Sequence, residues 1–349
     1  MNIKEVAELA GVSVASISRA FQDPPSPYIS KKQRERILKI CEELQYYPDI
    51  HSQRLNAKRS NTIAFLSRHV AEMEVYGAGG RRMFDYNFGS VIMGAQVALA
   101  GYGKSLQLIL VDDAYLAERR HLKMVRSRMV DGIIVVPSGQ EPDALESIDR
   151  NRTPVVLIDR YFEPTALPYV TTNNYEGGLN ATKYLIGFGH RDILCIRGVP
   201  HSMPARERER GYLDALREAG LEDRARIAGN DFSIQNGYLE TKFALSGSAR
   251  PTAIFAMSNT ILLGTIKAIK ESGLRIPDDI SVVSFDNYTY LDYLDPAITR
   301  VSQRISEMGA LAVKILLQRI EGTGNDDAKI QLSPQLIVCN SVAHAHGEK

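Results

Sequence analysis

Beyond Thr62 the sequence alternates between apolar runs of strand length and amphipathic stretches of helix length. The runs are TIAFLS, SLQLILV, DGIIVVP, PVVLID, DILCIRG, TAIFAM and ISVVSFD, with a shorter strand near 226–229. Helices are expected between them, at about 88–101, 115–128, 142–150, 175–188, 206–219, 234–247 and 260–272. Strands separated by helices of this length cannot form hairpins, so the pattern calls for parallel sheet with crossover helices. The runs are also continuously apolar, as strands are when helices cover both faces of a sheet. The pattern falls into two sets divided near Pro164. The fold class is therefore α/β, with two doubly wound units in tandem. A chain of 349 residues leaves room for a further small domain, since ~100–200 residues per domain is usual.

The first sixty residues have a different character. Asn2 can cap a short helix from Ile3 to Ala10 with Val6, Leu9 and Ala10 on one face, and Gly11 ends it. Ser13 can cap a second helix running to about Phe21, with Ile17, Ala20 and Phe21 turned inward. Two short helices joined by a glycine-containing turn make a helix-turn-helix. The outer face of the second helix carries Val14, Ala15, Ser16, Ser18 and Arg19, small groups and one guanidinium suited to base edges and phosphates, with Ser13 at its start. After a proline-rich loop, Ser30 and Gln33 have the spacing of a capping box for a third helix. Ile37, Ile40, Cys41 and Leu44 form the apolar face of that helix. Ten Lys/Arg against seven Asp/Glu give residues 1–60 an excess of three positive charges, so the other 289 carry two negative ones. The net charge of +1 hides a small basic segment joined to a slightly acidic one.

KEVAELAGVSVASISRAF resembles the N-terminal motif of the lactose-repressor and galactose-repressor (LacI/GalR) family, and Tyr47-Pro48 through Leu55 resembles that family's hinge helix. The resemblance implies a regulator that binds double-stranded DNA at a palindromic operator as a homodimer. It places the second helix in the major groove and Leu55 as a wedge in the minor groove, where an inserted apolar side chain unstacks and kinks the duplex. Gln53, Lys58 and Arg59 are the accompanying contacts. The chain departs from the family in having Asp49, Ser52 and Gln53 where Asn, Ala and Arg are usual, and in a longer loop before Ile29. The hinge, Asp49 to Lys58, has few apolar residues and is expected to become helical only on DNA.

The strings RMVDGIIVVP, PVVLIDR, GFGHRDILCIRG, RERERGYLDALREAG, PTAIFAMSN, LLGTIKAIKESGLRIPDDISVVSFDN and ITRVSQRISEMG resemble the effector-binding core of the same family, which shares its fold with periplasmic binding proteins. The implied organisation is a DNA-binding domain at 1–47, a hinge and linker at 48–60 and a core at 61–349. The core's N-subdomain is expected at about 61–160 and 290–321, and its C-subdomain at about 161–289 and 322–341, with the chain crossing three times between them. A small-molecule effector, carbohydrate-like by resemblance, would lie in the cleft between subdomains, at the strand ends where open α/β sheets bind ligands. The resemblance assigns Arg206 as the effector-binding arginine, Phe232 as an aromatic platform and Phe88 as an apolar wall. Asp286 and Arg160 stand at strand ends. Asn259 occupies a position where the family commonly has Asp, and an uncharged amide leaves room for an acidic sugar derivative. The segment from His69 to Tyr86 is longer than the family's usual loop.

Other classes fare poorly. Gly103-Lys104-Ser105 lacks the earlier glycine of a P-loop and lies between helix and strand in the wrong order, and Gly77-Ala78-Gly79-Gly80 has Arg82 at the third glycine of a dinucleotide fingerprint. No catalytic constellation, metal site or cofactor is expected. Cys41, Cys195 and Cys339 are far apart without CxxC spacing, and Glu5 and Glu8 interrupt what would be a signal's apolar core, so a cytoplasmic protein without membrane contact is expected. The remaining alternatives are a solute-binding protein and an enzyme on a doubly wound fold. The stretch from Ser333 lacks a heptad repeat, so a dimer is expected without a tetramerising coiled coil.

Overall fold

A computed structural model describes residues 2–22, 25–47, 59–67, 86–137, 145, 148–149, 153–325 and 327–345. The chain divides into two compact units, Met1–Ser60 and Asn61–Lys349.

The first unit contains α1 (Ile3–Ala10), α2 (Val14–Ala20) and α3 (Lys31–Glu43). Its helix starts are secured by side chains that accept from otherwise unpaired backbone N–H groups: Ser13 from Ser16 and Ser30 from Gln33. The reciprocal capping box forms at Asn2 and Glu5. Gly11 closes α1 in the left-handed region, at φ 64°. Val6, Ala7, Ala10, Ile17, Ala20, Ile37, Cys41 and Tyr46 are buried. Leu9, expected inside, is 66% exposed, and Ala7 lies in the core of this unit instead. Arg34 Nε donates to the carbonyl of Ala20 at 2.9 Å, tying α3 to the end of α2.

The second unit holds two six-stranded sheets. The first contains β1 (Thr62–Ser67), β2 (Ser105–Leu110), β3 (Gly132–Val136), β4 (Val155–Ile158), β5 (Tyr169–Thr172) and β11 (Lys329–Leu332), in the order β2-β1-β3-β4-β5-β11 with all neighbours parallel. The second contains β6 (Ile193–Ile196), β7 (Arg226–Ala228), β8 (Ala253–Ala256), β9 (Ser281–Phe285), β10 (Thr299–Ser302) and β12 (Gln335–Ile337), in the order β7-β6-β8-β9-β10-β12. Only β12 runs antiparallel to its neighbour in that sheet. Six of the seven apolar runs form central strands and are buried along their whole length, as continuous hydrophobicity requires, whereas SLQLILV forms the edge strand β2 and is largely exposed. Alternate residues of β1 feed opposite cores: Ile63 and Phe65 join one, Ala64 and Leu66 the other.

The helices of this unit are α4 (Tyr86–Ala100), α5 (Asp113–Ala117), α6 (Arg120–Arg126), α7 (Asn174–Gly187), α8 (Met203–Glu218), α9 (Ile234–Ser246), α10 (Asn259–Glu271) and α11 (Ile305–Glu321). Three pairs pack face to face: α4 with α11, α7 with α8 and α9 with α10. The single helix expected at 115–128 is broken in two, because Arg119 adopts a positive φ of 50°. Of the helix expected at 142–150, only residues 145 and 148–149 are described, and residues 68–85 of the long segment also lie outside the described residues. The three crossings between sheets fall later than the sequence boundaries: after β5, after β10 and after β11. Thus 161–172 stays with the first sheet, 290–302 belongs with the second, and 329–332 returns to the first. YVTT, TRVS and KIQL mark these strands poorly because they are short and rich in Thr, Arg, Lys and Gln. Among the described residues no helix is long and apolar enough to cross a membrane.

Candidate functional site

On the first unit, α2 presents a small, mostly polar surface. Ser13, Val14, Ala15 and Arg19 are exposed, Ser16 and Ser18 are half-buried, and Ile17 and Ala20 on the opposite side are buried. The inward residues fix the helix, so the outward ones are free to touch a duplex. Val14 is 40% exposed at the helix start, an apolar group placed where a thymine methyl could be read. Ser13 and Ser16 hydroxyls are 2.9 Å apart, which restrains both. The Arg19 guanidinium lies 5.7 Å from the ring centre of Tyr28, itself 80% exposed. Tyr28 carries no motif signal, although its place in the lengthened proline loop beside the helix-turn-helix is a clue. Arg59 is exposed, whereas Gln53, Leu55 and Lys58 lie outside the described residues.

On the second unit, a polar cluster forms at the carboxyl ends of β8 and β9. Asp286 follows β9 with a positive φ of 81° and is buried. Its Oδ1 accepts from Gln303 Nε2 at 2.6 Å and its Oδ2 from the backbone N–H of Asn259 at 3.3 Å. Gln303 Oε1 in turn accepts from Thr172 Oγ1 at 2.6 Å, so one carboxamide joins the ends of β5 and β9. Asn259 opens α10 behind its cap, Ser258, and is 1% exposed. The Tyr290 hydroxyl donates to Asn259 Oδ1.

The arginine in this cluster is Arg208, not Arg206. Arg206 is exposed on α8, whereas Arg208 is buried. The two are about 200° apart around a helix and cannot share a face. Arg208 donates from Nε to Asn174 Oδ1 at 2.8 Å and from Nη1 to the Met257 carbonyl at 2.6 Å, and its guanidinium lies 3.6 Å from the centre of the Phe285 ring. Burial pulls its pKa down, opposed by the carboxylates of Asp286 and Asp159. Arg208 could have been found from spacing: it stands three residues after Ala205 and four before Tyr212, both fully buried, so it lies on the inward stripe of α8.

The other expected residues are partly drawn in. Arg160 is half-buried near the cluster, its Nε 3.1 Å from Asp159 Oδ2. Phe232 lies so close over the backbone at Gly198 that a methyl group there would sit 2.2 Å from the ring, and its carbonyl accepts from Thr260 Oγ1. Phe88 is taken up by packing, edge-on to Phe65 at 5.8 Å in the core of the first sheet. No group of three or more metal-ligating side chains occurs among the described residues.

Residues 2–49 match the model of bacterial regulatory proteins of the lacI family, and residues 182–342 match a periplasmic binding protein-like domain. The HTH-type transcriptional repressor PurR of Vibrio campbellii is 31% identical over 344 residues, covering 97% of this chain and 98% of the relative. Among solved structures, the lac repressor dimer bound to operator and the anti-inducer ONPF aligns over 98% of this chain and 99% of its own, with a TM-score of 0.83 at 24% identity, a likeness of fold. The complex of the transcriptional regulator CelR with cellobiose aligns over the same shares, with a TM-score of 0.71 at 26% identity.

Proposed function

The chain belongs to the lacI family of bacterial regulatory proteins, DNA-binding transcriptional regulators with a ligand-binding core, and on that premise we propose that it is a homodimeric repressor of a palindromic operator controlled by a carbohydrate-like effector. As a regulator of this type it binds operator DNA and a small molecule, and it is not an enzyme. The observation that carries the finer reading is the Arg208–Asn259–Asp286 cluster: a guanidinium, a carboxamide and a carboxylate gathered at strand ends, where a polyhydroxylated ligand finds both donors and acceptors. The cellobiose held by CelR supports the ligand class. In this reading Arg208 takes the role first given to Arg206, with Phe232 and Arg160 as neighbours. Val14, Ala15 and Arg19 of each α2 read base edges, and Ser13, Ser16 and Ser18 contact the backbone. Gln53, Leu55, Lys58 and Arg59 serve the minor groove.

A second copy is supported by α4, which has no charged residue, although Met93 and Val97 on its outer side are 62% and 67% exposed. Beside it runs the edge strand β2, with Leu108 and Leu110 about half exposed. Two such faces meeting would cover both and place two headpieces on symmetric half-sites.

Effector binding shifts operator affinity through the core, and a coupling of ~1–3 kcal/mol corresponds to about 5- to 150-fold. The test is selection of duplexes from a random pool by the full chain, followed by titration of the selected site with and without sugars. An inverted repeat whose affinity changes with one sugar supports the reading. A site without symmetry counts against the dimer, and an affinity indifferent to every compound that binds the core counts against the switch.

A further inference from the structure

Among the described residues, Asn259 holds a buried polar group of the cluster that is left unanswered. Its Nδ2 is buried with no hydrogen-bond partner among the described residues. An unmet buried donor is costly to a folded protein, so it marks a point where a ligand acceptor would be favoured. The surrounding bonds decide which end of the carboxamide is unmet. The Tyr290 phenol can donate to Oδ1 or accept from Nδ2. With the phenol donating, as found, only the Nδ2 hydrogens lack a partner. Turning the amide over would leave both Oδ1 and the phenolic proton to find new partners, a worse account by one group. Tyr290 also keeps that proton: burial first, and then the Asp286 carboxylate, hold its pKa up at about 12.

We propose that Tyr290 is a positioning residue that fixes the Asn259 carboxamide as a hydrogen-bond donor, so that the cleft selects an effector carrying a carboxylate or carbonyl oxygen at that point. The proposal rests on the reading above that the effector occupies this cluster. Arg208 strengthens the preference through its charge, since the bond from its Nη1 to the Met257 carbonyl anchors the guanidinium at the end of β8, where α10 and Asn259 begin. A buried guanidinium and an unmet N–H in one neighbourhood form a donor-rich pair, matched by the two oxygens of an acid. Asp286 remains to accept from ligand hydroxyl groups, which keeps a sugar acid compatible with the site.

The experiment uses the full chain and matched probes: glucose, galactose, ribose and cellobiose, with gluconate, glucuronate and galacturonate, screened by thermal shift and titrated by calorimetry. The expected result is that an acid binds at least about tenfold more tightly than its neutral parent, a factor equal to about 1.4 kcal/mol. Asn259→Asp should lower the acid's affinity by about tenfold or more, because it replaces a donor with a charge of the ligand's own sign. Tyr290→Phe removes one oxygen and frees the amide to turn, so the ratio of acid to neutral affinity should collapse toward one. A purely structural tyrosine would lower both affinities together and leave that ratio unchanged. A neutral sugar binding more tightly than every acid, or an unchanged ratio in Tyr290→Phe, overturns this proposal and leaves the carbohydrate reading standing. A panel in which nothing binds overturns both.

Discussion

Gln303 is a small group with an unusual position. It lies between β10 of the second sheet and α11, which packs on the first, and its two ends bond to Asp286 and Thr172 at 2.6 Å each. A ligand hydroxyl that takes Asp286 Oδ1 must share it with Gln303, and any shift of Gln303 is felt at the end of β5. Gln303→Ala is therefore expected to weaken the link between effector and operator more than either binding event. The operator affinity ratio with and without effector should move toward one, while the melting temperature falls by a few degrees for the loss of about 1–2 kcal/mol of hydrogen bonding. Titration of the operator with and without effector checks it, and a ratio equal to wild type would remove Gln303 from the switch. Nothing in the local sequence TRVSQRIS marks this glutamine, because its partners lie 131 and 17 residues away. Asp286, by contrast, was legible from its place after an apolar strand, and Asn259 from the family resemblance. Arg208 was obscured by the repetition in RERER, where only the phase of the helix separates one arginine from the next.

At the scale of elements, the long apolar runs were legible as strands because burial on both faces leaves no room for polar residues. The strands β5, β11 and β12 were not: β11 and β12 lie at sheet edges, where pairing on one side relaxes that demand, and β5 is an inner strand of four residues, two of them Thr. The helix pairs depend on a signal of another kind. A methyl group at Gly178 would lie 2.2 Å from the carbonyl oxygen of Arg208, and one at Gly211 would lie 2.3 Å from that of Tyr175, so α7 and α8 touch backbone to backbone. Gly178→Ala is expected to cost 1–3 kcal/mol or more, by the general range of about 1–3 for overpacking, and to weaken effector binding because the displaced carbonyl belongs to Arg208. Gly187→Ala, which meets nothing within 4 Å, serves as the neutral control in the same thermal melts. The end of α7 carries a pH-sensitive joint. His190 is buried, its Nε2 donating to the Ala343 carbonyl at 3.0 Å, with Thr252 Oγ1 2.9 Å from Nδ1. Burial, partly offset by the Ala343 bond, lowers its pKa below the usual value of 6.5. The unfolded chain then binds a proton that the folded chain resists. Stability from this joint is full above about pH 6.5 and is lost as pH falls toward the depressed folded value. Thermal melts from pH 8 to 5 should show that decline, and His190→Gln should flatten it.

At the scale of the molecule, the charge division between a basic headpiece and an acidic core makes sense only if the headpiece is brought to DNA in pairs. A unit of sixty residues with an excess of three positive charges makes few phosphate contacts, and its affinity alone would be weak and steeply dependent on salt. Joining two such units converts the second contact into an intramolecular one, which raises affinity by about 10²–10⁴-fold when the geometry fits both half-sites. In the proposed dimer the core supplies the junction, and the exposed apolar residues of α4 and β2 are the first candidate for it. Val97→Glu combined with Leu110→Glu puts two carboxylates into that face in each copy, where symmetry doubles their number and sets like charges against one another. Neither residue is buried within its own chain, so folding should survive and the melting temperature should change little. Sedimentation should then show a monomer, and operator affinity should fall by about a hundredfold or more by the same avidity arithmetic, with half-site affinity unchanged. Effector affinity should hold, since Arg208, Asn259 and Asp286 all come from one chain. A variant that remains dimeric would move the interface to another face, for which the 79% exposed Phe243 on α9 is the next apolar candidate. A monomer that still binds the full operator as tightly as wild type would instead show that paired headpieces are not what holds the protein on its site.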